Sequence, residues 1–172
     1  VEGLSELLCG AHRAGHFRGV ATVVAKLLHI VSPRTAYFGE KDAQQVIIIK
    51  KMVSDLNMPV KIKVMPTVRE KDGLAMSSRN KYLDREERQD APVLHQALIA
   101  ARSSIRKGQF SASRIKSLMK GIIQEKSGAK IEYISVTDQE TLLPVKEISR
   151  GNLIALAVRF GKTRLIDNLI IK

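Results

Sequence analysis

From Val20 onward the apolar residues Val20, Val23, Val24, Leu27, Leu28 and Val31 recur at helical spacing, which predicts an amphipathic helix with one buried face. Ser32-Pro33 breaks it. Ala36-Tyr37-Phe38 then reads as a short buried strand ended by Gly39. Asp42 stands as the N-cap of a second helix that carries Val46, Ile49, Met52, Val53 and Leu56 inward. Met58-Pro59 closes that helix, and Val60, Ile62 and Val64 alternate with Lys61 and Lys63 as a strand. Helix, strand, helix, strand is the order of a parallel sheet with crossover helices. Only about two of its strands are visible, fewer than a doubly wound sheet normally has. Residues 1–9 read as the middle of a helix already under way, so the chain is expected to be part of a longer protein.

Beyond Met65-Pro66 the pattern changes. Arg69-Glu70-Lys71-Asp72-Gly73 is polar and turn-like, a boundary or hinge. Asp84 with Glu87 three residues on makes a capping box. Pro92 divides the helical stretch that follows, with Asp90 capping a second helix that runs to Gly108. A further helix is expected over about 112–126, bounded by Gly128, and then β-rich runs at 131–136, 153–158 and 165–171, the last two joined by a hairpin at Gly161-Lys162. The fold class is therefore α/β: a partial Rossmann-type domain over 1–67, then a smaller α+β domain with an antiparallel sheet over 68–172.

Composition narrows the partners. Hydrophobic residues make up 44% of 172 positions, enough for a chain of this size to bury roughly 70% of its unfolded surface. No apolar run approaches the ~20 residues of a membrane span, and no signal-peptide pattern opens the chain. One cysteine, Cys9, excludes an internal disulfide and points to a reducing compartment, the cytoplasm by default. The net charge of +12 favours an anionic partner. The basic residues are scattered over helix faces, however, and with 4% aromatics and no tryptophan there is little to stack single-stranded bases.

Two polar clusters carry the candidate chemistry. Phe38-Gly39-Glu40-Lys41-Asp42-Ala43-Gln44-Gln45 lies where a strand gives way to a helix N-terminus, a place that favours phosphate, and Gly39 permits close backbone approach. Asp42 there suits ribose hydroxyls, or merely caps the helix. Gln44 and Gln45 point different ways, so one can face a ligand while the other faces structure or solvent. Met76-Ser77-Ser78-Arg79-Asn80 sets two hydroxyls beside a guanidinium that matches phosphate bidentately, or is an ordinary polar loop. His12, His16, His29 and His95 form no metal-ligand pattern with Cys9. His16, ahead of the first helix, is the one that could approach a pocket.

In order, His16-Phe17-Arg18-Gly19-Val20, Tyr37 through Gln45, Pro66-Thr67-Val68-Arg69-Glu70, Asp72 through Asn80, Tyr82-Leu83 and Thr163-Arg164-Leu165-Ile166-Asp167-Asn168 closely resemble the C-terminal part of the pantothenate synthetase (pantoate–β-alanine ligase) family. The resemblance covers essentially the whole chain. It implies a Rossmann-type nucleotidyltransferase domain with a C-terminal domain that closes over the site. It also implies an ATP-dependent ligase in which pantoate attacks the α-phosphate of ATP, and the amine of β-alanine then displaces AMP from pantoyl adenylate. Magnesium accompanies the ATP, with no metal-ligating residue assigned in this chain, and family members are commonly homodimers.

Carried over by position, Gly39, Glu40 and Asp42 resemble nucleotide contacts, the glycine and aspartate at the ribose. Lys41 with Ser77, Ser78 and Arg79 resembles the polyphosphate clamp, Lys41 and Arg79 stabilising charge as pyrophosphate leaves. The backbones of Val68 and Met76 resemble adenine contacts, and Gln45 a pantoate ligand. The family's His-x-Gly-His element and its N-terminal pantoate-binding glutamine are absent from this sequence. The chain is thus expected to hold part of a site, to have little ligase activity alone, and to leave apolar helix faces and a strand edge uncovered. A nucleic-acid-binding module and a regulatory fragment are the alternatives; retained ATP-pocket residues and the lack of a basic run weigh against them.

Overall fold

The first helical stripe becomes α1 (His16–Val31) in a computed structural model that describes all residues, 1–172. Ser32 ends α1 in a left-handed conformation, ahead of Pro33. The next elements are β1 (Thr35–Gly39), α2 (Ala43–Asp55) and β2 (Lys61–Met65), with β1 and β2 parallel in the register Thr35↔Lys61 to Gly39↔Met65. These elements belong to one compact unit, Val1–Pro66 with Glu140–Leu142; Thr67–Gln139 with Leu143–Lys172 forms the other.

In the first unit α2 buries Val46, Ile48, Ile49 and Met52. The pattern of α2 is reproduced apart from Leu56, which is exposed just past the helix end. Gln44 is buried and spends its whole amide on the chain's first segment. Its Oε1 accepts from Cys9 N (3.0 Å), and its Nε2 donates to Leu4 O (3.0 Å) and Leu7 O (2.7 Å). A buried glutamine is tolerated only when both ends of the amide are satisfied in this way. Gln44 is therefore the structural member of the glutamine pair.

The expected burial of the α1 face is corrected. Of that stripe only Leu28 is buried, while Val23 is 58% and Leu27 53% exposed, and Ile30 and Val31 are exposed beside them. Periodicity specifies a helix and the face that packs; it cannot supply the surface that packs on it. Tyr37 on β1 and Met65 on β2 are exposed as well, so the parallel pair has apolar surface uncovered, as expected of so short a sheet.

The second unit opens with a loop over 67–83 that contains a 3₁₀ turn, Ser78–Tyr82. It is followed by α3 (Arg85–Asp90), α4 (Val93–Arg106) and α5 (Ala112–Gln124), then β3 (Ala129–Thr137), β4 (Leu153–Phe160) and β5 (Thr163–Ile170). The capping box on α3 is formed in both directions, Glu87 N to Asp84 Oδ1 and Asp84 N to Glu87 Oε2. Pro92, not Asp90, occupies the N-cap of α4.

The sheet is antiparallel in the order β3-β4-β5. Gly161-Lys162 join β4 to β5 with Phe160 paired to Thr163. Central strand β4 is buried throughout except Arg159, which explains its unbroken apolar run. Leu94, Leu98, Ile115 and Met119 of the helices share one core with Ile154, Leu156, Val158 and Phe160.

Candidate functional site

In the first unit the candidates gather where β1 gives way to α2. Residues Glu40–Asp42 form a single 3₁₀ turn between the two. Gly39 is extended, at φ −77, and no atom lies within 4 Å of where a Cβ would stand. The backbone there does not demand glycine; the missing side chain leaves open space in front of the turn. Asp42 holds the N-cap position of α2, but its side chain makes no capping bond, which corrects the capping role. Its carboxylate is exposed, 3.6 Å from the Nζ of Lys41, whose own side chain is 18% exposed. An ammonium held close to a helix N-terminus, with a carboxylate not consumed by the fold, is suited to a ligand carrying both phosphate and hydroxyls. Gln45, next along α2, is half-buried and its side chain bonds to nothing in the chain. His16 opens α1 with its Nε2 2.7 Å from Arg13 Nη1 and its ring against Phe17.

In the second unit the segment expected to be a turn is a small antiparallel hairpin. Arg69 bridges Ala75, Glu70 N donates to Leu74 O (2.8 Å), and Met76 N donates to Val68 O (2.9 Å). Gly73 makes the bend possible: its φ is +91, and a Cβ there would run into the His95 ring. Beyond the Met76–Val68 bond, Val68 N–H and Met76 C=O make no backbone bond, so the hairpin mouth offers a donor and an acceptor side by side. Ser77 follows; its Oγ accepts from Arg79 N (3.2 Å) and caps the 3₁₀ turn. Ser78 and Arg79 are exposed, and the Arg79 guanidinium has no partner in the chain.

What holds this loop was not among the candidates. Arg69 donates twice to Asp167 of β5, Nη1 to Oδ2 at 2.6 Å and Nη2 to Oδ1 at 3.0 Å, and Nη1 also reaches Gly73 O (3.0 Å). The Asp167 side chain is 2% exposed, so the pair ties the hairpin to the sheet from beneath. Arg88 of α3 binds Glu70 Oε2 at 2.6 Å and Asp72 Oδ2 at 2.5 Å. Asn80 Nδ2 donates to Glu70 Oε1 (2.7 Å) and Ala75 O (3.2 Å), while its buried Oδ1 has no partner in the chain.

Hydrogen bonds from Asn80 and then Arg88 hold the Glu70 carboxyl below its ordinary range, and the bond from Arg88 does the same for Asp72. Burial, aided by the Arg69 charge, lowers His95. One signal in the sequence pointed to Asp167: it is an acid between Leu165 and Leu169, at a strand position where alternation asks for an apolar residue.

A parallel β–α–β unit with Gly-Glu-Lys-Asp at its helix N-terminus, followed by an α+β unit carrying a braced Ser-Ser-Arg loop, is a nucleotidyltransferase-like arrangement. The family model for pantoate-beta-alanine ligase matches residues 1–170, and the chain belongs to that family. It is 55% identical over 172 residues to the pantothenate synthetase of Acetivibrio thermocellus and 51% identical to that of Moorella thermoacetica, in each case over 100% of this chain and 61% of the relative. The chain thus spans about three fifths of the length of these relatives.

The crystal structure of pantothenate synthetase from Thermus thermophilus matches 99% of this chain and 61% of its own, at 45% identity and a TM-score of 0.95. A pantoate-beta-alanine ligase from Francisella tularensis, complexed with beta-gamma ATP and beta-alanine, matches 97% of this chain and 55% of its own. There the identity is 36% and the TM-score 0.68.

Proposed function

We propose that this chain carries part of the active site of an ATP-dependent ligase that joins pantoate to β-alanine through pantoyl adenylate, releasing pyrophosphate and AMP. The observation that carries the reading is the loop over 76–79: an unpartnered guanidinium beside two hydroxyls, on a backbone braced by Arg69–Asp167 and Arg88. A protein seldom braces a loop so heavily to present a side chain that binds nothing.

Residues 1–67 belong to a nucleotide-binding domain and 68–172 form the smaller C-terminal domain. Val68 N–H and Met76 C=O offer the donor and acceptor that the adenine edge requires. Gly39 and Asp42 meet the nucleotide at its ribose with Glu40 as a further nucleotide contact, and Gln45 takes pantoate with the amide that Gln44 cannot spare. Lys41, Ser77, Ser78 and Arg79 clamp the polyphosphate, and the two cations neutralise charge as pyrophosphate leaves. No protein nucleophile is needed, because adenylation of this kind depends on alignment and charge stabilisation. Magnesium supplies further charge neutralisation on the ATP phosphates. ATP and β-alanine as substrates are supported by the Francisella relative's complex. The reaction is that of a cytoplasmic enzyme acting on small molecules, as a homodimer when the protein is whole; no helix is long and apolar enough to cross a membrane.

The test exchanges this chain for the matching segment of the Acetivibrio thermocellus relative. The chimera should form pantothenate with stoichiometric AMP, and Lys41→Ala or Arg79→Ala should each lower kcat by about 10²–10³-fold, or about 2.7–4 kcal/mol. A chimera that folds but makes no pantoyl adenylate would overturn the reading. Pantothenate formation by the chain alone would overturn the claim that its site is partial.

A further inference from the structure

Asn80, directly after the Ser77-Ser78-Arg79 cluster, is placed differently from it. Ser78 and Arg79 are exposed, whereas Asn80 is half-buried and its Oδ1 fully so. The Nδ2 of Asn80 carries two hydrogens, and both are spent: one on Glu70 Oε1 (2.7 Å), the other on Ala75 O (3.2 Å). Chemistry fixes the direction of this carboxamide. Ala75 offers a carbonyl, and the Glu70 carboxyl is held below its ordinary range by Asn80 and then Arg88, so both partners only accept. Turning the amide round would set oxygen against oxygen.

The two bonds close a loop. Ala75 precedes Met76 and Asn80 follows Arg79, so one carboxamide joins the two ends of the segment 76–79. Ala75 is buried and bridges Arg69 across the hairpin, which roots the near end. The second bond reaches Glu70, two residues beyond Val68, and Glu70 Oε2 is in turn held by Arg88 Nη2 of α3 (2.6 Å). Bonds within the loop do less. Asn80 N to Ser77 O (3.1 Å) and Arg79 N to Ser77 Oγ (3.2 Å) shape the 3₁₀ turn, but neither reaches the hairpin. Asn80 is therefore the side chain that ties the strand of Val68, the carbonyl of Met76 and the loop of Ser77 to Arg79 together, all within the second unit.

Three roles can be weighed for it. A phosphate contact does not suit it: no hydrogen of Nδ2 is left to donate, and Oδ1 would repel an anion. Space-filling would be served by leucine, of similar shape, without burying an oxygen that has no partner in the chain. Fixing the spacing between the hairpin mouth and the Ser-Ser-Arg loop is what its two bonds accomplish.

We infer that Asn80 is a positioning residue, which holds two half-sites at the separation that one nucleotide spans. This rests on the reading above, in which Val68 and Met76 meet adenine while Ser77, Ser78 and Arg79 meet the polyphosphate. Each half-site takes its own fragment without Asn80. The whole nucleotide gains from both halves only when their spacing is fixed, because the second contact then forms at a high effective concentration.

The test uses Asn80→Ala, which removes both bonds and adds no charge. The full chain and the variant are titrated with Mg·ATP, with adenosine and with inorganic tripolyphosphate, following the backbone amides of 68–79. Initial slopes of the shifts compare fragments that do not saturate. The variant should bind Mg·ATP at least tenfold more weakly, while adenosine and tripolyphosphate change less than twofold. Should Asn80→Ala lose folded signal, Glu70→Ala removes the anchor, leaves Asn80 in place and gives the same comparison. A native chain that binds none of the three would overturn the ligase reading and this inference with it. With binding by the native chain intact, three results would overturn the inference alone: Mg·ATP affinity unchanged in the variant; equal weakening of all three ligands, which marks a collapsed site; or weakening of one fragment only, which marks a direct contact.

Discussion

Replacing Arg69 by methionine should cost more stability than replacing its partner Asp167 by alanine, although both remove the same ion pair. The asymmetry follows from burial. Without Arg69 the carboxylate of Asp167, 2% exposed, keeps a bond only from Asn168 N (2.8 Å). Breaking a pair so as to leave a buried charge costs about 3–5 kcal/mol. Without Asp167, Arg69 is 23% exposed, keeps its bond to Gly73 O and can turn to water. That loss is limited to charge-assisted bonds, about 1.5–3 kcal/mol. Removing both should cost little more than removing Asp167, so the coupling energy should match the cost of removing Arg69 alone, about 3–5 kcal/mol. Urea unfolding of the chain and the three variants completes the cycle. Amide exchange at Glu70 and Met76, which donate to Leu74 O and Val68 O within the hairpin, reports whether the loop is released. Equal single costs, or additivity within about 0.5 kcal/mol, would refute the brace.

Three further outcomes follow from the same packing. The neutral form of His95 is favoured by burial and by Arg69, so its folded pKa lies below its unfolded value of about 6.5. Its contribution is therefore complete above that value and is lost as pH falls through the folded pKa; thermal scans between pH 8 and 5 should show this slope in the native chain and not in His95→Gln. Glu70 and Asp72 are lowered by Asn80 and Arg88, so their contribution is present above about pH 4 and disappears as pH falls through the folded values; Arg88→Met should shift that acid loss of hairpin protection to higher pH. Ile30→Glu, at a 69% exposed position, should change unfolding free energy by no more than about 0.5 kcal/mol while lowering the binding of an apolar dye; a loss of several kcal/mol would mean the α1 stripe is covered.

Elements governed by local chemistry were legible in the sequence. The Asp84–Glu87 box, the Ser32-Pro33 stop and the Gly161-Lys162 hairpin each depend on a few adjacent residues, and each appears in the structure. Features that need a distant partner were not. Arg69 looked like part of a polar turn because Asp167 lies 98 residues away. The two glutamines could not be ranked until Gln44 met Leu4, Leu7 and Cys9. The α1 stripe shows the opposite failure: its amphipathic pattern is real, but burial belongs to a surface that the pattern does not encode. The candidate residues themselves lie on short contiguous segments that a sequence displays directly; the side chains that brace the second segment do not.

Everything proposed for the site depends on Lys41 and the Ser77-Ser78-Arg79 loop binding one nucleotide triphosphate. The most direct measurement is a titration of the labelled chain with Mg·ATP, following backbone amides and the Met76 methyl. Saturable shifts confined to residues 39–42, 68 and 76–79, and lost in Arg79→Ala, are the predicted result. Shifts spread over scattered lysines, fading with salt and unchanged in Arg79→Ala, would contradict it.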